Sequence, residues 1–221
     1  VGRAEAVSSG GSVSTCDGVV IVPHSTAAEP IVECERGPAG GMLVDTTMST
    51  SLEGIYAAGD STEIRFKSGS VAARLYSTSR ACGEVAGLNA AGGNARVSVS
   101  WAVEQAYFGV EVCSAGLREE EALAIGLEAA TESSTSTAGS PASLNEKGKR
   151  QVTVSMVYDI STHQVYGLQI CGWRASAFSN VASLIVSLGL TVEQLVFVES
   201  PYSPGFSYDA SPIGLTARRI K

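Results

Sequence analysis

The sequence is poor in the residues that build metal and redox centres. Histidine occurs only twice in 221 residues, and the five cysteines (Cys16, Cys34, Cys82, Cys113, Cys171) are scattered, odd in number and without a Cys-x-x-Cys pair. Nothing in their spacing suits zinc, so no metal ligands are assigned. They read as reduced, mostly buried thiols of a cytoplasmic protein. No apolar run approaches membrane-spanning length, and the N-terminus lacks the charged-then-apolar pattern of a secretion signal, so no membrane partner is expected. The 15 basic residues are spread along the chain against 22 acidic ones, for a net charge of −7. That balance favours solubility and gives no footprint for nucleic acid. A hydrophobic content of 44% is ordinary for a chain that buries a core.

The most informative stretch is Leu52-Glu53-Gly54-Ile55-Tyr56-Ala57-Ala58-Gly59-Asp60. It reads as a short apolar strand, Ile55 to Ala58, stopped by a glycine and an acid. Small residues at Ala57, Ala58 and Gly59 allow close approach to the backbone. Asp60 would then lie at the carboxyl end of a strand, where α/β sheets place ligands. In isolation, such an acid simply orders a turn.

Upstream, Gly41, Leu43, Val44, Asp45, Thr50 and Ser51 precede Ile55, Tyr56, Ala57, Gly59 and Asp60 at fixed spacing. The whole run, GGMLVDTTMSTSLEGIYAAGD, resembles the second flavin-binding segment of the FAD-dependent pyridine nucleotide-disulfide oxidoreductases. The resemblance implies that Asp60, beside Gly59, hydrogen-bonds the ribityl or pyrophosphate part of FAD. It also implies that the helix after it offers backbone N–H groups to the flavin ring, a role suited to a helix N-terminus. That family often has Pro-Leu-Ala at the helix start; here the matching residues are Ala73-Arg74-Leu75, so Arg74 and Leu75 join the cofactor-binding candidates and Arg74 is a departure.

In chain order, residues 1–24 read as a hairpin turning at Ser8–Gly11, followed by a buried strand at Val19–Val22. The segment CDGVVIVP resembles the end of the family's NAD domain, with His24 where a glycine is usual; His24 is a proton donor at most and more simply a structural or solvated side chain. Residues 25–39 are a connection, 61–70 polar and irregular, and 71–91 a helix closed by Gly92-Gly93. The family's glycine-rich phosphate loop does not occur, and the chain opens on Val1. The expectation is therefore the C-terminal portion of a longer polypeptide, with a missing N-terminal FAD/NAD portion as a possible partner.

From residue 96 the character changes. Strand-like material surrounds Gln105–Cys113, and 118–127 is a helix opened by acids. Residues 131–145 are Ser/Thr-rich and read as mobile. A hairpin (151–159 and 164–171) follows, then a helix at 174–188, a short helix capped by Thr191, and an irregular tail. This order is α+β. It resembles the same family's dimerisation domain, in YFGVEVCSAGLREEEA, VYGLQICG, LTVEQL and YSPGFSYDASPIG. The tail matches CoA-disulfide reductases and related NADH oxidases at Tyr202, Pro204, Phe206, Ser207, Pro212 and Ile213.

The expected fold class is thus α/β, a remnant of FAD- and NAD-binding domains, followed by an α+β dimerisation domain. Residues 1–39 would end the NAD domain and its connection, 40–95 the FAD domain, and 96–221 would form a homodimer. The resemblance implies FAD and NAD(P)H as cofactors of the parent. Electrons would pass through FAD to a disulfide of the CoA-disulfide kind, a persulfide or oxygen. None of the five cysteines matches the family's reactive one, so no catalytic residue is assigned in this chain. Tyr202 and Tyr158 are candidate substrate-site tyrosines acting across the dimer, or else ordinary interface aromatics. Trp101 and Trp173 read as core or interface anchors. The alternatives are a non-catalytic homodimerisation scaffold and a ferredoxin-reductase-like flavoprotein, the latter disfavoured by the Tyr-Ser-Pro tail.

Overall fold

The computed structural model describes residues 6–9, 11–20, 32–66, 69–72, 74–138, 150–202 and 207–220. The chain begins with the hairpin β1 (Ala6–Ser9) and β2 (Ser12–Thr15), turned by Gly11 at φ +82°. Val19 and Val20 are exposed and outside any strand, contrary to the buried strand expected there; no neighbouring strand covers them among the described residues. Ile21, Val22 and His24 lie outside the described residues.

A small sheet follows. β3 (Met42–Val44) runs parallel to β4 (Thr62–Phe66), which pairs antiparallel with β5 (Gly69–Val71). The 15-residue α1 (Tyr76–Ala90) lies over it, and Val44, Met48, Ala57, Ile64, Cys82 and Val97 close a common core. Two expectations are corrected here. Residues 55–58 are not a strand but a loop wall, with a single bridge between Tyr56 and Ser49. The reason is local: Gly54 at φ +75° turns the chain back, Ile55 N–H donates to Leu52 O, and Thr50 Oγ1 donates to Ile55 O (3.0 Å). Residues 61–70 hold the hairpin β4–β5 rather than irregular chain, so α1 starts at Tyr76, later than the periodicity placed it. Buried Glu63 explains the hairpin, accepting from Gly41 N–H and Ser70 Oγ (both 2.8 Å).

The larger unit is a five-stranded antiparallel sheet in the order β6 (Val103–Tyr107), β7 (Val110–Gly116), β10 (Val165–Gly172), β9 (Gln151–Asp159), β8 (Ala129–Thr137). α2 (Glu119–Ala124) links β7 to β8, with Arg118 and Glu121 closing its first turn reciprocally. Alternation along β9 sends Val152, Val154 and Met156 into the core and leaves Thr153 and Ser155 partly exposed. The covered face carries a 3₁₀ turn (Ala175–Phe178), α3 (Ser179–Ser187), α4 (Val192–Val196) and α5 (Pro212–Ala217). The capping box expected at Thr191 is present, with Gln194 as its return partner.

β8 corrects the reading of 131–145 as mobile, at least to Thr137; residues 139–149 lie outside the described residues. Its hydroxyls pair across to β9, Ser133 to Ser155 (2.8 Å) and Thr135 to Thr153 (2.9 Å), so polar side chains line a ladder instead of a loop. α5 corrects the irregular tail. Ser211 Oγ accepts from Gly214 N–H (3.2 Å), and Pro212 occupies the first turn, where its missing N–H costs nothing. No helix among the described residues is long and apolar enough to cross a membrane.

Candidate functional site

Most of the polar residues in the 41–60 run build the loop itself. Asp45 is partly desolvated, which acts to raise its pKa, yet hydrogen bonds from Thr47 Oγ1 (2.5 Å), Thr47 N–H (2.7 Å) and Ser49 N–H (3.2 Å) hold it below the ordinary carboxylate value. Asn89, buried near the end of α1, donates to Thr47 O and Ala95 O (2.8 Å each). Ser51 Oγ accepts from Glu35 N–H (2.9 Å). These contacts fix the loop that ends in Gly59 and Asp60.

Gly59 sits at φ +86°, the left-handed region that favours glycine, and its carbonyl accepts from Thr62 N–H (3.0 Å) and Thr62 Oγ1 (2.8 Å). Asp60 is exposed at this corner, and Ser79 Oγ of α1's first turn donates to its Oδ1 (3.2 Å). Leu75 is the extended N-cap residue of α1, and Arg74 precedes it, both partly buried. As the N-cap residue, Leu75 makes no side-chain capping bond, and no acid occupies the first turn of α1. The structure therefore brings Gly59 and Asp60 to the same helix end as Arg74 and Leu75. A carboxylate acceptor beside a run of helix N–H donors suits a ligand with hydroxyl groups and an electron-rich edge, and the FAD side chain and ring present both. On that donor set the residues fit FAD.

The tyrosines fare differently. Tyr158 is partly buried on β9, packs against the main core and meets the His163 ring edge-on (centroids 6.0 Å apart). Tyr202 follows α4 and is half exposed. No hydrogen bond or ring contact joins the two among the described residues. Trp101 is buried, edge-on to Phe66; Trp173 is partly buried, with the guanidinium groups of Arg150 (5.4 Å) and Arg174 (4.8 Å) over its ring. Both match their reading as anchors.

The thiols are less uniformly hidden than expected. Cys82 and Cys113 are buried, Cys16 and Cys34 partly so, and Cys171 is exposed; all are free. Burial raises the Cys82 pKa, and burial aided by nearby Glu104 pushes Cys113 up to about 11. Neither is a ready thiolate. Among the described residues no cluster of three or more His, Cys, Asp or Glu side chains is placed to hold a metal.

Sequence reasoning missed the pairing of His163 with Glu193. The imidazole at the β9–β10 turn hydrogen-bonds the carboxylate of α4's first turn, lowering Glu193 to about 2. The signal lay in His163 as a hairpin-tip residue and Thr191–Gln194 as a helix start, but their proximity is tertiary.

Residues 104–209 match the family described as the pyridine nucleotide-disulphide oxidoreductase dimerisation domain. The chain is 28% identical over 213 residues to an NAD(P)H coenzyme A polysulfide/persulfide reductase of Pyrococcus horikoshii, covering 91% of this chain and 46% of that protein. It is 25% identical over 212 residues to an NADH oxidase of Streptococcus pyogenes, covering 90% and 44%. The solved structure of an NAD-dependent persulfide reductase from A. fulgidus superposes with a TM-score of 0.76 at 25% identity, covering 95% of this chain and 39% of that one. The chain thus spans less than half the length of these relatives. Their similarity extends well beyond 104–209, through the Gly59–Asp60 corner and α1.

Proposed function

We propose that this chain is the flavin-contacting and dimer-forming part of an FAD-dependent NAD(P)H oxidoreductase. Its acceptor would be a disulfide of the CoA-disulfide kind, a persulfide or oxygen, in a cytoplasmic enzyme. The observation that carries this reading is the meeting of Asp60 with the start of α1, held by the 3.2 Å bond from Ser79. When bound, FAD supplies the acceptance of hydride and the relay of electrons. In this reading Asp60 accepts hydrogen bonds from hydroxyls of the FAD side chain, and Gly59 keeps the corner free of a side chain. The backbone at Arg74 and Leu75 orients the ring at the positive end of α1. Residues 96–221 form a homodimer, and Tyr202, a half-exposed residue, donates a hydrogen bond to substrate across the dimer. Tyr158 takes the same role only if its packing against the core opens.

A second reading, a non-catalytic dimerisation scaffold, is favoured by the buried, high-pKa state of Cys82 and Cys113. The visible absorption spectrum of the purified chain, before and after adding FAD, separates the two. Bound-flavin bands that Asp60→Ala weakens by about tenfold or more in FAD affinity support the first. A colourless protein that ignores FAD leaves the scaffold.

A further inference from the structure

His163 fastens two elements at once. Its N–H donates to Asp159 O (2.9 Å), closing the turn between β9 and β10, and its carbonyl accepts from the N–H of Val192 (2.9 Å), the first residue of α4. Gln164 and Thr191 add a bridge beside it. Its Nδ1 hydrogen-bonds Glu193 Oε1 in the first turn of α4. The His163 backbone lies at φ +56°, in the left-handed region where glycine or asparagine is the usual turn residue. A histidine at such a strained position points to a use for its side chain.

We propose that His163 and Glu193 form a proton-controlled latch between the β9–β10 turn and α4, held tighter when the imidazole carries its proton. Glu193 supplies the fixed charge. The His163 bond is the main cause that lowers it from 4.5 to about 2, so it stays ionised through the neutral range. A carboxylate depressed in this way contributes stability above its ordinary value and loses it as pH falls through the folded one. The imidazole sets the other limit. Histidine side chains ordinarily exchange their proton between about pH 5 and pH 8, and an imidazolium binds a carboxylate more strongly than the neutral ring does. The contact therefore slackens as pH rises across that range. The other ionisable groups around the turn are Tyr158, edge-on to the ring, Asp159 and Tyr166, bonded to each other, and Glu128, which accepts from Ser161 Oγ (3.3 Å). Phenols and carboxylates ordinarily titrate outside this range, which leaves the imidazole to drive the change. His163 thus touches Tyr158 directly and, through α4, the segment that leads to Tyr202. Its bearing on substrate rests on the tyrosine roles proposed above; the latch itself does not.

Hydrogen exchange of the Val192 amide in the full chain, corrected for its intrinsic rate, tests the latch, because that N–H bonds His163 O. In the wild type the contact should open about threefold more often at pH ~8 than at pH ~5.5, the scale of a partly exposed ion pair. Glu193→Gln and His163→Gln should each abolish that pH step with an unchanged far-ultraviolet circular dichroism spectrum. His24→Gln, at the sequence's other histidine, should keep it. Glu193 is mostly exposed, so its variant keeps the test valid if His163→Gln unfolds the turn. Equal opening at both pH values in the wild type, a step that survives in either of the two latch variants, or a step lost in His24→Gln overturns the latch. None of these readings depends on flavin. A failed latch therefore leaves the oxidoreductase reading standing, and a chain that ignores FAD leaves the latch standing.

Discussion

Glu63 is a carboxylate taken out of water inside a three-stranded sheet, and its two hydrogen bonds make that tolerable. Its side chain fills the space over Gly37, where an added Cβ would come within 2.1 Å of the carboxylate. It also ties the start of β3 to β5 through Gly41 and Ser70. Glu63→Ala leaves the Gly41 N–H and the Ser70 hydroxyl short of an acceptor and should cost about 2 kcal/mol or more in stability by urea titration. An unchanged midpoint would show that the loop rearranges around the gap. In the five-stranded sheet, Tyr166 donates to Asp159 at 2.5 Å, with help from the Thr162 and Ser161 N–H groups. The Tyr166 bond is the main reason Asp159 falls from 3.8 to about 2. A depressed carboxylate contributes stability above its ordinary pKa and loses it as pH falls from there through the folded value. The turn should therefore loosen between about pH 4 and pH 2. Tyr166→Phe should move Asp159 back toward 3.8, read from its carboxyl chemical shift in an NMR titration. No movement would mean that the backbone donors alone hold it.

At the scale of elements, the five-stranded sheet depends on two glycines facing each other in adjacent strands. Gly116 on β7 pairs with Gly167 on β10, and a Cβ on Gly167 would meet Leu117 O at 2.0 Å. The obstacle is backbone, which cannot rotate away. Gly167→Ala should destabilise the chain by about 3 kcal/mol, the upper end of overpacking costs, and lower its melting temperature. A wild-type melting temperature would show that the sheet can spread at this point. β9 was readable from alternation, β10 as its return after the 160–163 turn, and α4 from its helix-start residues, because these signals are local. β8 and α5 were not. The strand's Ser and Thr side chains pair with Ser155, Thr153 and Thr216, whose positions no local pattern reveals. α5 is too short for periodicity, although Ser211-Pro212 was a usable start signal.

The whole molecule divides unevenly. Residues before 96 share a core of a few side chains around Val44, Met48 and Ile64, whereas the larger sheet and its helices bury one extended cluster from Cys113 to Ala217. Larger cores open less often. Limited proteolysis should cut first within 1–95 and leave 96–221 resistant, as followed by mass spectrometry. Uniform resistance would show that the two units fold as one.

The sequence by itself determined which family the chain resembles, the α+β order after residue 96 and the identity of Gly59, Asp60, Arg74 and Leu75 as candidates, because spacing and turn chemistry are written residue by residue. Only the tertiary structure decided that Asp60 meets α1's first turn through Ser79, that Glu63 is a buried tie, and that His163 pairs with Glu193. The same holds for Val181, Leu184 and Leu188, which face outward while Ala182 and Ile185 face in. A helical period gives the stripes of α3, but which stripe is covered depends on the sheet that packs against it.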